Sequence, residues 1–166
     1  MLKSKNMSIS GITVSLIIIS LYAGTILKSN KIFFIALATY FEAIPIIRCG
    51  IKTGILSYIA SSLLAIILIP NKIYALIFIT IGVYPFSKLF FERFNTFFEF
   101  LLKYLWFNVT CIIIYTFLTK YIMINDILIR NRETILIMVL QFIFFVYDYV
   151  FTRFIIFINY RILKGE

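Results

Sequence analysis

The chain has 166 residues, of which 63% are hydrophobic and 14% are charged. Soluble domains contain roughly 45–50% apolar and 25% charged residues, so this composition excludes an ordinary water-soluble protein. The formal net charge is +9, but the Lys and Arg residues lie singly between apolar runs. That distribution argues against a nucleic-acid-binding surface and favours lipid head groups as the partner.

Six apolar runs follow one another along the chain. Their lengths are close to the roughly 20 residues that an α-helix needs to cross a bilayer. Because a lipid-exposed backbone must satisfy its own hydrogen bonds and the runs do not alternate, we predict an all-α bundle of six transmembrane helices. We assign residues 1–166 to this one integral membrane domain. The predicted spans are Ser8–Leu27, Ile32–Ile47, Thr53–Ile69, Ile73–Phe91, Leu101–Ile124 and Ile135–Ile158.

The first two runs each allow a second interpretation. The first run follows Lys3 and Lys5 like the start of a signal peptide, but it is too long for a signal core and lacks a small-residue cleavage site. The second run contains Glu42 and Pro45. If this second run were a re-entrant segment, the chain would have five spans.

Charge and turn residues predict the orientation of the bundle. With six spans, ten of the sixteen Lys and Arg residues fall on the side of the amino terminus. The positive-inside rule therefore favours a multi-pass cell-membrane protein with both termini in the cytoplasm. Pro70 and Asn71 predict a tight outer turn, so spans three and four should be antiparallel neighbours.

The segment Gly82–Lys103, which we call the elbow, joins spans four and five. Lys88 and Glu92 are four residues apart, as are Glu99 and Lys103. This spacing predicts two i,i+4 ion pairs on one polar stripe of a bent cytoplasmic segment. The stripe is either a solvated surface beside the lipid head groups or a docking surface for a partner.

Glu42 lies six residues before Arg48, which places its carboxyl inside the membrane. Charged residues in a bilayer are costly and usually face the bundle interior, so Glu42 is a candidate functional residue. The alternative is a structural ion pair, for which Arg48, Lys88 and Arg153 are the candidate partners.

Two further patterns place polar or small residues on single helix faces. The polar side chains of the last span recur at offsets of 7, 11 and 18 residues, which predicts a face that either holds the bundle together or lines a ligand site. The small residues of span three recur every four residues, which predicts close helix packing. The polar set is Gln141, Asp148, Thr152 and Asn159, and the small set is Ser57, Ser61 and Ala65.

Catalytic chemistry has little support in the sequence. There is no His, there are seven acidic residues, and the two cysteines, Cys49 and Cys111, have no companion ligand motif. General acid–base catalysis and a metal site therefore lack their usual side chains. We predict that the protein is not an enzyme and uses no cofactor.

The six-span architecture, the size and the basic charge resemble the substrate-capture S components of energy-coupling-factor vitamin transporters. In place of that family's Ala-x-x-x-Ala motif, the first span has Gly11 with Ser15 and Ser20 with Gly24. The segments KTGILSYIASSLL, Lys52–Leu64, and GVYPFSK, Gly82–Lys88, are also similar to uncharacterised small membrane proteins of low-GC Firmicutes.

The S-component resemblance implies capture of a vitamin-like small molecule from outside and partnership with a membrane coupling subunit and two ATPases. Under this hypothesis the polar ligand contacts are Glu42, Asn108, Gln141 and Asp148. The alternative is a non-transport interaction or assembly protein that docks through the elbow. The docking residues would then be Lys88, Glu92, Glu99 and Lys103.

Overall fold

A computed structural model shows an all-α chain. The structure describes the backbone of residues 2–27, 30–122 and 133–164, and the side chains of residues 4–27, 30–116 and 138–160. The helices are α1 (Leu2–Ile26), α2 (Lys31–Cys49), α3 (Ile51–Leu68), α4 (Lys72–Ile81), α5 (Tyr84–Phe91), α6 (Thr96–Ile122) and α7 (Glu133–Lys164).

Six segments of this fold are long and apolar enough to cross a membrane, as predicted. The second is one continuous helix of 19 residues, α2, which is long and apolar enough to cross and supports six spans over five. The fourth span, Lys72–Phe91, consists of α4 and α5 together. The predicted boundaries differ from the observed ones by a few residues, most at the start of α1 and at the end of α7.

The first three helices pack as consecutive hairpins. Only Gly50 separates α2 from α3, and its φ of 88° lies in the left-handed region that favours glycine. The predicted small-residue face of α3 is buried, and a Cβ at Gly54 would lie 2.5 Å from the Ile46 side chain of α2. Small residues thus bring these two helices close together.

On α1, only one of the two small-residue pairs packs against the described parts of the bundle. Ser20 donates a hydrogen bond of 3.1 Å to the Phe34 carbonyl, and a Cβ at Gly24 would clash with the Tyr74 hydroxyl. Gly11 has open space around it and Ser15 is exposed. The Gly11–Ser15 face therefore points away from the described bundle.

The fourth span is broken between Ile81 and Tyr84. Pro85 lies in the first turn of α5 and has no N–H to donate to the preceding turn, which interrupts the helical hydrogen bonds. The outer turn before α4 forms as predicted, because the Asn71 side chain accepts a hydrogen bond from the Tyr74 amide. Helices α3 and α4 are neighbours.

Two packed clusters hold the bundle together. One is aliphatic and joins α1, α2, α3 and α4 around Phe78. The other is aromatic and joins α2, α5, α6 and α7 around Tyr84 and Phe151. Many Ile, Leu and Phe side chains are exposed on the outer surface. An apolar exterior of this extent is expected for a protein whose solvent is lipid.

Candidate functional site

A charged cluster lies where α5, α6 and α7 meet, and Asp148 is its centre. The Asp148 Oδ1 atom accepts hydrogen bonds of 2.5 Å from both the Tyr84 hydroxyl and the Lys88 Nζ atom. The Oδ2 atom accepts a bond of 3.1 Å from Lys103 Nζ. One carboxylate of the last span therefore pairs with two lysines from different helices.

Lys88 is fully buried, with 0% of its side chain exposed. Besides Asp148, its ammonium contacts the Thr152 hydroxyl at 2.8 Å and the Glu92 carboxylate at 3.3 Å. An ammonium has three donors, so this arrangement gives each of them a partner. It also lies 5.7 Å from the centre of the Phe151 ring.

Both predicted i,i+4 ion pairs of the elbow are present. Lys88 pairs with Glu92 at 3.3 Å, and Lys103 pairs with Glu99 at 2.6 Å. The solvated-stripe interpretation is nevertheless wrong for the two lysines, since both are buried and point towards Asp148. The carboxylates are partly exposed, so a docking surface on the elbow is confined to Glu92, Glu99 and their exposed neighbours.

Three residues that no sequence pattern singled out also belong to the polar interior, namely Tyr84, Thr39 and Tyr147. Thr39 of α2 is 2.7 Å from the Tyr147 hydroxyl of α7, next to the Tyr84–Asp148 bond. Tyr40 stacks on Tyr147 in the same place. The sequence offered one signal, because Tyr147 directly precedes the intramembrane acid Asp148. Tyrosines are common throughout this chain, however, so the signal is weak.

A second polar contact crosses from α6 to α7, and we call it the α6–α7 seam. The Gln141 Nε2 atom donates a 2.8 Å hydrogen bond to the Asn108 Oδ1 atom. The Gln141 Oε1 atom is buried and has no hydrogen-bond partner within the described part of the chain. Beside this contact, the Phe107 and Phe144 rings stack with their centres 4.3 Å apart.

Glu42 lies in a third place, between α2 and α3. Its side chain is fully buried, and its Oε2 atom accepts a 3.3 Å hydrogen bond from the Ser61 hydroxyl. The predicted ion pairs with Arg48, Lys88 and Arg153 are not formed, because every salt bridge among the described side chains belongs to the Asp148 cluster. The Glu42 Oε1 atom has no partner there.

The four predicted ligand contacts are thus distributed over three places. Asn108 and Gln141 bond to each other, Asp148 lies seven residues and about 10 Å further along α7, and Glu42 is separate from both. An apolar groove of about 480 Å³ includes none of them. It is lined by Phe86, Ser87, Phe90, Phe91, Leu102, Leu105 and Trp106.

The polar face predicted on the last span takes part in packing between helices. Gln141 contacts α6, Thr152 contacts α5, and Asp148 contacts both. Asn159 is exposed. Among the described residues, no group of three or more His, Cys, Asp or Glu side chains is arranged to hold a metal ion.

Comparison with known proteins adds no relative, since no protein-family model, curated protein or solved structure matches this chain. The fold and its apolar exterior define the class to which it belongs. The chain is a polytopic α-helical membrane protein, with a bundle of six membrane-spanning segments and an ionised cluster in its interior.

Proposed function

We propose that this protein captures a vitamin-like small molecule in the cell membrane and serves as the substrate-binding subunit of an ATP-driven transporter. The observation that carries the proposal is the α6–α7 seam. It combines two amide side chains with stacked aromatic rings, and one amide oxygen has an unmet hydrogen bond. Ligand sites commonly combine apolar or aromatic walls with a few polar groups that orient the ligand.

The seam offers the chemistry that a ring-containing solute requires. Asn108 is exposed and its amide nitrogen donates to the Tyr104 carbonyl, which fixes the orientation of the side chain. A solute that donates a hydrogen bond to Gln141 Oε1 would satisfy this buried acceptor, whose loss of hydration otherwise costs roughly 1–3 kcal/mol. Phe107 and Phe144 supply the aromatic surface for stacking.

The Asp148 cluster limits how far such a solute would enter. Its three carboxylates and two lysines satisfy one another, so the cluster offers a solute few free donors or acceptors. It lies about 10 Å along α7 from Gln141, towards the elbow. We assign it a structural role, in which it holds α5, α6 and α7 together on the elbow side of the α6–α7 seam.

The coupling subunit and the ATPases are the partners that the proposal requires. The Gly11–Ser15 face lies on the first span, the span on which S components carry their Ala-x-x-x-Ala contact motif, and it is open in the described structure. Small residues allow the close approach of another membrane helix. This exposed face of α1 therefore supports the docking of a coupling subunit, which the capture function needs.

Native mass spectrometry tests the capture function. The protein is extracted gently from its own membrane together with whatever it binds. We expect an added mass of vitamin size, and ATPase subunits in the same preparation. Asn108→Leu and Gln141→Leu should each lose the small-molecule mass, whereas Arg153→Gln, an exposed change on the same helix, should retain it. A folded wild-type protein without any bound small molecule or ATPase partner would contradict the proposal.

One observation favours the alternative, an assembly protein that docks through the elbow. The apolar groove between α5 and α6 is open and lies beside the partly exposed Glu92 and Glu99 carboxylates. Phe90 and Phe94, near the groove, are also exposed. Aromatic surface bordered by charge is typical of protein–protein interfaces.

Charge reversal on the elbow separates the two functions. Lys88 is unsuitable for this test because it is buried and its reversal would disrupt the bundle. Glu92→Lys and Glu99→Lys change the partly exposed side of each pair. Loss of a co-purified protein partner would favour the assembly role, whereas retention of both the partner and the small-molecule mass would favour capture.

A further inference from the structure

Glu42 is a buried acid in the α2–α3 interface that has no cationic partner among the described side chains. Its side chain is fully buried, and no Lys or Arg of the described side chains lies within salt-bridge distance. An isolated ionised carboxylate is very costly in an apolar interior. The seam and the Asp148 cluster do not use this residue, so a proton or a bound cation is what can neutralise it.

The oxygens around Glu42 have unused bonding capacity. Among the described residues, the Glu42 Oε1 atom and the Ser57 hydroxyl are both buried without a hydrogen bond of ordinary geometry, while the Ser61 hydroxyl contacts Oε2 at 3.3 Å. Ser57 lies beside the carboxyl on the same face of α3 as Ser61. In addition, Pro45 has no N–H to donate to the Phe41 carbonyl, one residue before Glu42.

We propose that Glu42, Ser57 and Ser61 form a binding site for one Na⁺ ion. Hard cations take oxygen ligands, and a single carboxylate balances a single positive charge. In membrane transporters, Na⁺ is bound by oxygens near the bilayer midplane, including carbonyls that irregular helices leave free. The ion would give partners to both orphaned oxygens at once.

The proposed site is closed off by the packing of α2 against α3. Glu42 and Ser61 have 0% of their surface exposed, and Ser57 has 3%. Gly54, one turn before Ser57, brings the α3 backbone close to Ile46 of α2. The three side chains are therefore shielded from the surroundings of the bundle.

Sodium-dependent stability and direct ion binding test the site together. Purified protein in nanodiscs is unfolded thermally at fixed pH and ionic strength while choline chloride is replaced by NaCl. We expect the midpoint to rise by about 3–6 °C when Na⁺ reaches about ten times its dissociation constant. Saturable binding of radioactive Na⁺ should accompany the rise.

Variants assign the effect to Glu42. Glu42→Gln should abolish both the midpoint rise and the Na⁺ binding, and Ser57→Ala should weaken binding about tenfold while keeping the carboxyl. Glu92→Gln makes the same chemical change on the elbow and should retain both signals. If Glu42→Gln does not fold, binding to the wild type and to Ser57→Ala decides the question.

Two results would overturn the site. One is a wild-type protein without saturable Na⁺ binding, and the other is full Na⁺ binding in Glu42→Gln. Stability that depends on pH but not on Na⁺ would show that a proton alone occupies Glu42, and it would equally overturn the proposal. Because the seam is a separate place, these results are independent of whether a small molecule binds at Gln141.

Discussion

At the scale of single residues, the two interior acids differ in how they are neutralised. Asp148 meets two lysines and a tyrosine hydroxyl, and each of its oxygens accepts at least one hydrogen bond. Glu42 meets one serine hydroxyl and has an oxygen without a partner among the described residues. A saturated ionic cluster is suited to a structural role, whereas an unsaturated buried acid is suited to binding a ligand.

We expect Asp148→Asn to lower the free energy of unfolding by about 3–5 kcal/mol, because removing one partner of a buried ion pair leaves the other charge uncompensated. Here two buried lysines, Lys88 and Lys103, would lose their shared carboxylate. Reversible unfolding by SDS in mixed micelles measures the change.

The matched control for Asp148→Asn is Arg153→Gln, an exposed change on the same helix. Surface changes of this kind usually stay within about 0.5 kcal/mol. A cost for Asp148→Asn that is no larger than the control would show that the cluster does not stabilise the bundle. Glu92→Gln, which removes only the outer partner of Lys88, should cost less than about 1 kcal/mol.

At the scale of the elements, glycine and serine decide which helices come close. The small residues of α3 bring it against α2, and Ser20 and Gly24 bring α1 against the start of α2. In a bilayer, helices gain little from burying apolar surface, so close van der Waals contact and hydrogen bonds drive their association. The larger aromatic side chains fill the space between α2, α5, α6 and α7.

Gly54→Ala tests the α2–α3 contact, because the added Cβ would lie 2.5 Å from the Ile46 side chain and 3.2 Å from its Cα atom. We expect a loss of about 1–3 kcal/mol from overpacking. SDS unfolding again measures it.

The control is Gly11→Ala on α1, where the new methyl group meets no atom within 4 Å. Alanine has the higher helix propensity, so this variant should be as stable as the wild type or slightly more so. Equal stability of the two alanine variants would contradict the close approach of α3 to α2.

At the scale of the whole molecule, the orientation of the bundle is a prediction from the distribution of Lys and Arg. Six crossings return the chain to the side from which it started, and the positive-inside rule assigns that side to the cytoplasm. The turn at Pro70 then lies outside and the turn at Asn95 lies inside, and both residues are exposed.

Cysteine labelling measures this orientation in a background in which Cys49 and Cys111 are replaced by alanine. In right-side-out vesicles, a membrane-impermeant maleimide should label Pro70→Cys directly. Asn95→Cys should react only after permeabilisation. The reverse pattern would place both termini outside and would require a substrate to enter the α6–α7 seam from the cytoplasmic side.

The sequence by itself determined the class of the protein, the positions of its apolar runs and the local pairs. Apolar runs of bilayer length leave helices as the solution for a backbone without water, and this holds for each run separately. The ion pairs Lys88–Glu92 and Glu99–Lys103 follow from a spacing of four residues within one segment. None of these properties depends on where the other helices lie.

Only the tertiary structure decided which polar side chains meet. Lys88 and Asp148 are 60 residues apart, and the packing of α5 against α7 turns a lysine of the elbow into the buried partner of the last span. The same packing leaves Glu42 without a cation among the described side chains. A hydropathy pattern records how much of each helix faces lipid, whereas these contacts depend on the rotation of each helix and on its neighbours.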